Sequence, residues 1–432
     1  MSLFRATGSL EALDDATRQA LLERTTADAN AELSERVRGI IADVRRDGDA
    51  ALVRLARQLD GAELSDLEVP RERWEKALER VDGAVVAAMR RAAENIKSVH
   101  EAFRPTAVET VTDDGVVVGR RPDPLSRVGV YAPGGRAAYP SSVLMGVVPA
   151  RVAGVGEIIV CSPPGGDGAP SDVVLAAALI GGADRVFALG GAGAIAAMAY
   201  GTASVPRVDR IVGPGNAYVA EAKLQVTSVV GIDSPAGPSE LLVLADGSAS
   251  PAVVAREVLA QAEHDPLASV VVVSTDAAWA TALERAVADL VPAEPRADVI
   301  RAALSSRGGV LVAGSVESAI AFANAYAAEH LLLAGAAAAQ WLPRIRHAGT
   351  VFVGECSSVA FGDYMTGANH VLPTGGLARS YSGLSTLDFV RWTTYQRVSR
   401  ASAAALARDV DLFAQAEGLP AHAAAARQWT VE

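Results

Sequence analysis

The chain has 432 residues, half of them hydrophobic, and a net charge of −11 spread along the sequence; this length predicts more than one domain, and the apolar content excludes a disordered chain. No basic cluster of the kind a phosphate backbone needs occurs, which argues against nucleic acid as a partner. The two cysteines, Cys161 and Cys356, form no C-x-x-C pair, so neither a disulfide framework nor a thiolate zinc site is expected, and the usage fits a reducing, cytoplasmic compartment.

The opening MSLFRATGSLEALDDATR is acidic and lacks the apolar run of a secretory signal. Over the first hundred residues the pattern predicts helices: 33–59 and 73–103 carry apolar residues at three- and four-residue spacing among charges. A hairpin follows, AVETVT and GVVVGRR joined through Asp113-Asp114-Gly115. From Arg127 short apolar runs (RVGVYAP, GEIIVCSPP, RVFALGG, RVDRIVG) alternate with Ala-rich helical segments, the pattern of βαβ units and a parallel sheet. Residues 186–205 lack charge and approach a bilayer span in length, but Gly190-Gly191 divides them into a buried strand, a glycine turn and a buried helix. Pro163 to Gly168 reads as a loop. A second series runs ELLVLAD, SVVVVSTD, GGVLVAG, HLLLAG, GTVFVG. The expected fold is therefore α/β: two incomplete Rossmann-like parallel-sheet units, 127–239 and 240–376. They follow an N-terminal helical region with its hairpin (1–126), partly packing on the second unit, and precede a C-terminal helical tail (377–432). Nothing in these runs calls for a membrane partner.

Two glycine turns follow strands and precede helices. Gly191, Gly193 and Ala196 match G-x-G-x-x-A, the dinucleotide fingerprint, with Asp209 as a loose candidate for the acidic residue that should follow. Gly213-Pro214-Gly215-Asn216 is the other, and helix N-termini of this kind suit phosphates. Tight turns of any α/β fold account for both about as well.

Of six histidines, four stand beside other ligand-type residues. Gln261 and His264 end an expected helix and share a face. Glu329-His330 precedes HLLLAG, where a strand edge can present a base. Asp363 and His370 lie in a polar, glycine-containing segment. Glu417 and His422 flank Gly418-Leu419-Pro420-Ala421, and the proline places them on a turn. Singly, each has a structural explanation. Together, a Gln/His/Asp/His set without thiolates suits zinc. His100 and His347 receive no role.

At this point the chain resembles the histidinol dehydrogenase family. The stretch IDSPAGPSE from Ile232 to Glu240, continuing through AREVLAQAEH to His264, is close to the family signature. RVGVYAPGG, VGPGNAYVAEAK, AAEHL, GDYMTGANHVLPT and AEGLPAH match in order, over nearly the whole chain. The resemblance implies one zinc per subunit held by Gln261, His264, Asp363 and His422. It implies a general base at His330 and a water-activating carboxylate at Glu329. Ser239, His370 and Glu417 would contact substrate together with the zinc ligands and His330, and Tyr131, Gly193 and Asn216 would contact NAD. The implied reaction takes L-histidinol to L-histidine through the aldehyde, in a homodimer whose tails complete each other's sites. Two positions depart from the family pattern. Gly193 stands where Gln is usual, which itself creates the G-x-G-x-x-A match, so NAD need not bind in the usual dinucleotide manner. Ala327-Ala328 stand where Gly or Ala followed by Pro is usual, leaving the catalytic turn less rigid. Competing readings are a sister enzyme of another small alcohol, such as a sulfonated diol, and a zinc- or nucleotide-binding homologue without activity. Glu417 favours an imidazole over a sulfonate, and intact Glu329 and His330 favour an enzyme.

Overall fold

In the computed structural model, which describes residues 3–24, 31–134 and 138–430, two parallel sheets organise the chain. The strands in chain order are β1 (Ala6–Ser9), β2 (Val108–Val111), β3 (Val117–Pro124), β4 (Arg127–Tyr131), β5 (Glu157–Ser162), β6 (Arg185–Ala188), β7 (Arg210–Val212), β8 (Gly231–Ile232), β9 (Glu240–Ala245), β10 (Ser269–Ser274), β11 (Gly308–Val312), β12 (Ala328–Ala334), β13 (Ala348–Val353) and β14 (Val390–Arg397). One sheet has the order β6-β5-β4-β7-β8 and the other β1-β11-β10-β9-β12-β13. Apart from β1, each runs third-second-first-fourth-fifth in its own chain order, the half-Rossmann arrangement expected from the alternating runs. The apolar runs explain why: every residue of β9, β10 and β12 is buried, as a strand with helices on both faces must be.

The helices obey the 3.6-residue period. The helix Gly83–Ala102 buries Met89, Ala92, Ile96 and His100 on one stripe, and Asp82 caps it by accepting from the N–H groups of Ala84 and Val85. Most of the N-terminal region covers the first sheet. Val37 and Ile41 join one face with Ile195 and Ile211, and Trp74 and Met89 join the other with Val128 and Val160.

Several local features differ from the sequence reading, among them the short strand β8 and the division of 73–103 into the helices Arg71–Arg80 and Gly83–Ala102. The N-terminal region holds a strand as well as helices: β1 pairs in parallel with β11 and extends the second sheet. The 33–59 segment is not one helix but two, Ala31–Asp47 and Asp49–Leu55, followed by a π-helical turn, Ala56–Asp60. Gly48, at φ +56°, breaks it. The C-terminal segment opens with β14, which pairs antiparallel with β3 beside the expected β2–β3 hairpin. β14 carries polar and aromatic residues without a clean alternation, which hides it from a period-two search. Beyond it the helices Arg400–Ala416 and Pro420–Arg427 pack on each other and leave Val410, Leu412, Phe413 and Trp429 exposed. No described helix is long and apolar enough to cross a membrane.

Candidate active site

The charged pair Glu329-His330 is not before β12 but inside it, at the amino end of the second sheet. Both side chains are buried. β9 lies alongside, and its first residue, Glu240, serves both: its N–H donates to Glu329 Oε2 at 2.7 Å, and its carbonyl oxygen lies 3.1 Å from His330 Nδ1. A carbonyl can only accept, so Nδ1 carries a proton. That leaves Nε2 directed at Asp363, 3.6 Å from its Oδ1. Burial by itself would lower the His330 pKa, but the carboxylates of Glu329 and Asp363 outweigh it and hold the value at about 10. Burial pushes the Glu329 carboxyl up, against the opposing pull of His330. Burial works to raise Asp363 also, yet His330 beside it brings it below the usual carboxylate range.

Of the four expected metal ligands, Asp363 lies beside this pair and His264 within electrostatic reach of Asp363. Gln261, buried, is in the last turn of the helix Pro251–Ala262. His264 lies just beyond that helix and is exposed; its N–H returns to the Gln261 carbonyl at 3.3 Å. The helix starts from the carboxyl end of β9, so its last turn comes back to the amino edge where His330 sits. Asp363 is on the short helix Val359–Tyr364 and within electrostatic reach of His264, His330 and His370. A carboxamide oxygen, an imidazole nitrogen and a carboxylate oxygen are donors that suit zinc. Among the described residues, however, no three His, Cys, Asp or Glu side chains gather into a metal-binding group. His422, the expected fourth ligand, is exposed on the helix Pro420–Arg427, where it lines a groove with Val398, Val410 and Trp429. Glu417 ends the preceding helix and is also exposed, so the two occupy adjoining helix termini rather than a single turn.

The segment 363–374 bridges the two sheets. His370 Nδ1 is 2.9 Å from the Asp363 carbonyl and its Nε2 is 3.1 Å from Ser142 Oγ, at the start of the helix that follows β4. Both ring nitrogens are thus engaged, and burial lowers the His370 pKa. Asn369 donates to the Met145 carbonyl in the same helix at 2.8 Å. The Gly237 N–H donates to Thr374 Oγ1 at 2.5 Å, drawing the chain before half-buried Ser239 toward the bridge. Sequence reasoning missed Ser142, Thr374 and Glu240. Glu240 had a signal: it is the one charged residue in the otherwise apolar run ELLVLA.

The expected cofactor positions are elsewhere, at the carboxyl edge of the first sheet, where β4 and β7 flank the topological switch point that suits a nucleotide. Tyr131 ends β4, and its hydroxyl accepts the Gly191 N–H at 3.1 Å. Asn216 caps the helix Ala217–Gln225, accepting from Tyr218 and Val219. Gly213, at φ +114°, lies so close that a Cβ would be 2.1 Å from the Tyr131 carbonyl oxygen. Gly193 is buried inside the helix Gly191–Tyr200, and a Cβ there would lie 2.9 Å from Leu55 Cδ1; this glycine is explained by helix packing. Asp209 accepts from the N–H groups of Ser126 and Arg127 at the amino end of the sheet, the wrong edge for a ribose.

Comparison with known proteins gives the family. The family model described as histidinol dehydrogenase matches residues 22–429. The histidinol dehydrogenase of Methanosarcina mazei is 45% identical over 415 residues, covering 96% of this chain and 95% of its own. That of Pseudomonas aeruginosa is 47% identical over 398 residues, covering 91% and 90%. The crystal structure of histidinol dehydrogenase from Elizabethkingia anophelis aligns with a TM-score of 0.94 at 34% identity, covering 99% of this chain and 98% of that one.

Proposed function

The chain belongs to the histidinol dehydrogenase family, and from that membership we propose that it oxidises L-histidinol to L-histidine through L-histidinal, with two NAD reduced, in histidine biosynthesis in the cytoplasm. The observation that carries the reading is the buried Glu329–His330 pair, whose imidazole is fixed through Nδ1 on the Glu240 carbonyl with Nε2 facing Asp363. Beside the bare carboxylates His330 keeps its proton; with Asp363 holding zinc, that carboxylate's pull would be offset and Nε2 could lose it, and the freed Nε2 can then accept the substrate hydroxyl proton while the carbinol hydrogen leaves as hydride to the nicotinamide. The aldehyde must hydrate before a second hydride can leave. Glu329, held by the Glu240 N–H, is the carboxylate next to the base that can orient that water. Zinc held by Gln261, His264, Asp363 and His422 would supply charge and a fixed anchor for the substrate amine and imidazole. Keeping the aldehyde bound between the two steps protects it from side reactions.

His422 and Glu417 belong to this site only if the tail serves another subunit. The exposed apolar side chains Val410, Leu412, Phe413 and Trp429 support a homodimer in which each tail supplies its neighbour. The assay for the activity is NADH absorbance in zinc-loaded protein given L-histidinol, with two NADH formed per histidinol consumed. No NADH, or faster turnover of dihydroxypropanesulfonate, overturns the reading. Sharing is tested by complementation. His330→Ala and His422→Ala are each expected to be nearly inactive. Reassociated together, about half of the dimers are mixed, each with one good site, so about a quarter of all sites recover. No recovery in proven mixed dimers means that the tail serves its own subunit.

A further inference from the structure

Behind the Glu329–His330 pair lies a buried arginine that the reaction as described does not use. Arg24, at the end of the first N-terminal helix, is 4% exposed although 216 residues separate it from its main partner. Its Nε and Nη2 donate to the two carboxylate oxygens of Glu240 at 2.9 and 3.0 Å. Nη2 also donates to the Tyr326 carbonyl at 2.7 Å, and the guanidinium lies 3.5 Å from the centre of the Tyr326 ring. Nη1 donates to the carbonyls of Leu21 and Leu22. The Gly375 N–H donates to Glu240 Oε1 at 2.7 Å, and the Tyr326 hydroxyl is 2.8 Å from Ser269 Oγ.

These contacts link the starts of two strands. Glu240 begins β9, and its peptide groups hold Glu329 and His330. Tyr326 lies two residues before β12, the strand that carries both. One planar cation therefore sets the spacing between the peptide that orients the imidazole and the strand on which the imidazole is mounted. A planar five-donor group can grip a carboxylate with two bonds, a carbonyl with a third and a ring face at once, whereas a lysine ammonium cannot. Removing it leaves the Glu240 carboxylate buried with only the Gly375 N–H, and the start of β9 free to move.

We propose that Arg24 is a positioning residue for this reaction, acting through Glu240 and Tyr326 to hold His330 and Glu329 at their working geometry. The proposal rests on the assignment of His330 and Glu329 as the catalytic pair. Displacement of a reacting group by about 1 Å costs on the order of a hundredfold in rate. Arg24→Met is expected to lower kcat by about that factor and Arg24→Lys by about tenfold, with KM for histidinol and NAD within about twofold of the parent. The second readout is independent of turnover: in protein labelled with 15N-histidine, which has six histidines, the hydrogen-bonded His330 Nδ1–H gives a slowly exchanging resonance, assigned by its loss in His330→Gln. That resonance should broaden or disappear in Arg24→Lys and Arg24→Met. If Arg24 merely stabilises the fold, the variants melt earlier while kcat of the folded protein and the Nδ1–H signal stay at parent values; that result overturns the proposal. So does a rise in KM at constant kcat. Should Arg24→Met fail to fold, Arg24→Lys, which retains the charge, decides. Parent protein that does not oxidise histidinol defeats the functional reading, and the resonance then judges the positioning claim alone.

Discussion

The family resemblance implies a Gln at the position of Gly193, so introducing it tests how the first sheet's edge is built. Backbone strain is no obstacle, because Gly193 is not among the glycines with positive φ and lies within the helix Gly191–Tyr200. The obstacle is Leu55: a Cβ would sit 2.9 Å from its Cδ1 and 3.5 Å from Leu52 Cδ2. Overpacking of this kind costs about 1–3 kcal/mol, and replacing glycine inside a helix returns about 0.5–1 kcal/mol. Gly193→Gln should therefore be destabilised by up to about 2 kcal/mol. Leu55 is only partly buried, so Leu55→Ala should cost less than the roughly 2–5 kcal/mol of a full core truncation. In the double variant the clash is gone, and its loss of stability should fall short of the sum by about 1 kcal/mol or more. Denaturant unfolding of the four proteins measures this. If the Gln side chain then reaches the nucleotide, KM for NAD falls in the double variant relative to Leu55→Ala. Additivity within about 0.5 kcal/mol would refute the steric argument, and an unchanged KM would remove the cofactor role.

Three further outcomes can be checked together. Ala327, the one described non-glycine residue at positive φ (+51°), caps the helix Val316–Tyr326 two residues before Glu329; left-handed strain of about 1–2 kcal/mol, less about 0.4–1 kcal/mol of added chain entropy, means that Ala327→Gly raises the melting temperature modestly, and a lower one refutes the strain. His100 is buried with neither ring nitrogen hydrogen-bonded among the described residues, and burial lowers its pKa from 6.5 to about 4. The unfolded chain therefore binds the extra proton first as pH falls; the stability is fully present above pH 6.5 and is lost between there and pH 4, by up to about 3 kcal/mol. His100→Leu should flatten that acid slope, and an unchanged slope shows that other groups cause it. His264→Ala and Asp363→Ala should lower bound zinc per protomer while leaving the circular dichroism spectrum unchanged; full zinc retention in both removes them from the ligand set.

The two sheets were legible because their central strands, such as β9, β10 and β12, are buried on both faces and so read as unbroken apolar runs, and the helices because their stripes repeat near 3.6 residues. β1 and β14 were not, for a shared reason: each is an edge strand with a polar sequence, ATGS and VRWTTYQR, whose place is set by a partner hundreds of residues away. Arg24 and Glu240 show the same limit within the site. An arginine at the end of one helix and a glutamate at the start of a distant strand carry no mutual periodicity, and only the folded chain brings them to 2.9 Å. At the first glycine turn, which carries the fingerprint pattern, Gly193 faces leucines and the Gly191 N–H is taken by Tyr131, contacts that spacing does not foretell.

The edges at which the candidate groups lie give the architecture its functional sense. In the first sheet Tyr131, Gly191, Gly213 and Asn216 cluster after strand ends, at the switch point between β4 and β7, where parallel sheets leave a crevice lined with helix N-termini. In the second sheet the usual edge is reversed: Glu240, Glu329 and His330 sit at strand beginnings, and the helix after β9 ends at Gln261 and Ala262 on its way back toward that edge. A hydride acceptor and an alcohol must approach within van der Waals distance for transfer to occur. Opposite edges of two sheets can face one crevice only if the sheets are joined there, and the segment 363–374 makes that joint. It leaves Asp363 beside His330, places His370 on Ser142 at the head of the helix after β4, ties Asn369 to Met145 and closes Thr374 over Gly237. Loosening the joint without touching a ligand, as in Asn369→Ala, should therefore raise KM for NAD and lower kcat together, whereas a substitution acting on the second sheet alone would leave the NAD term unchanged.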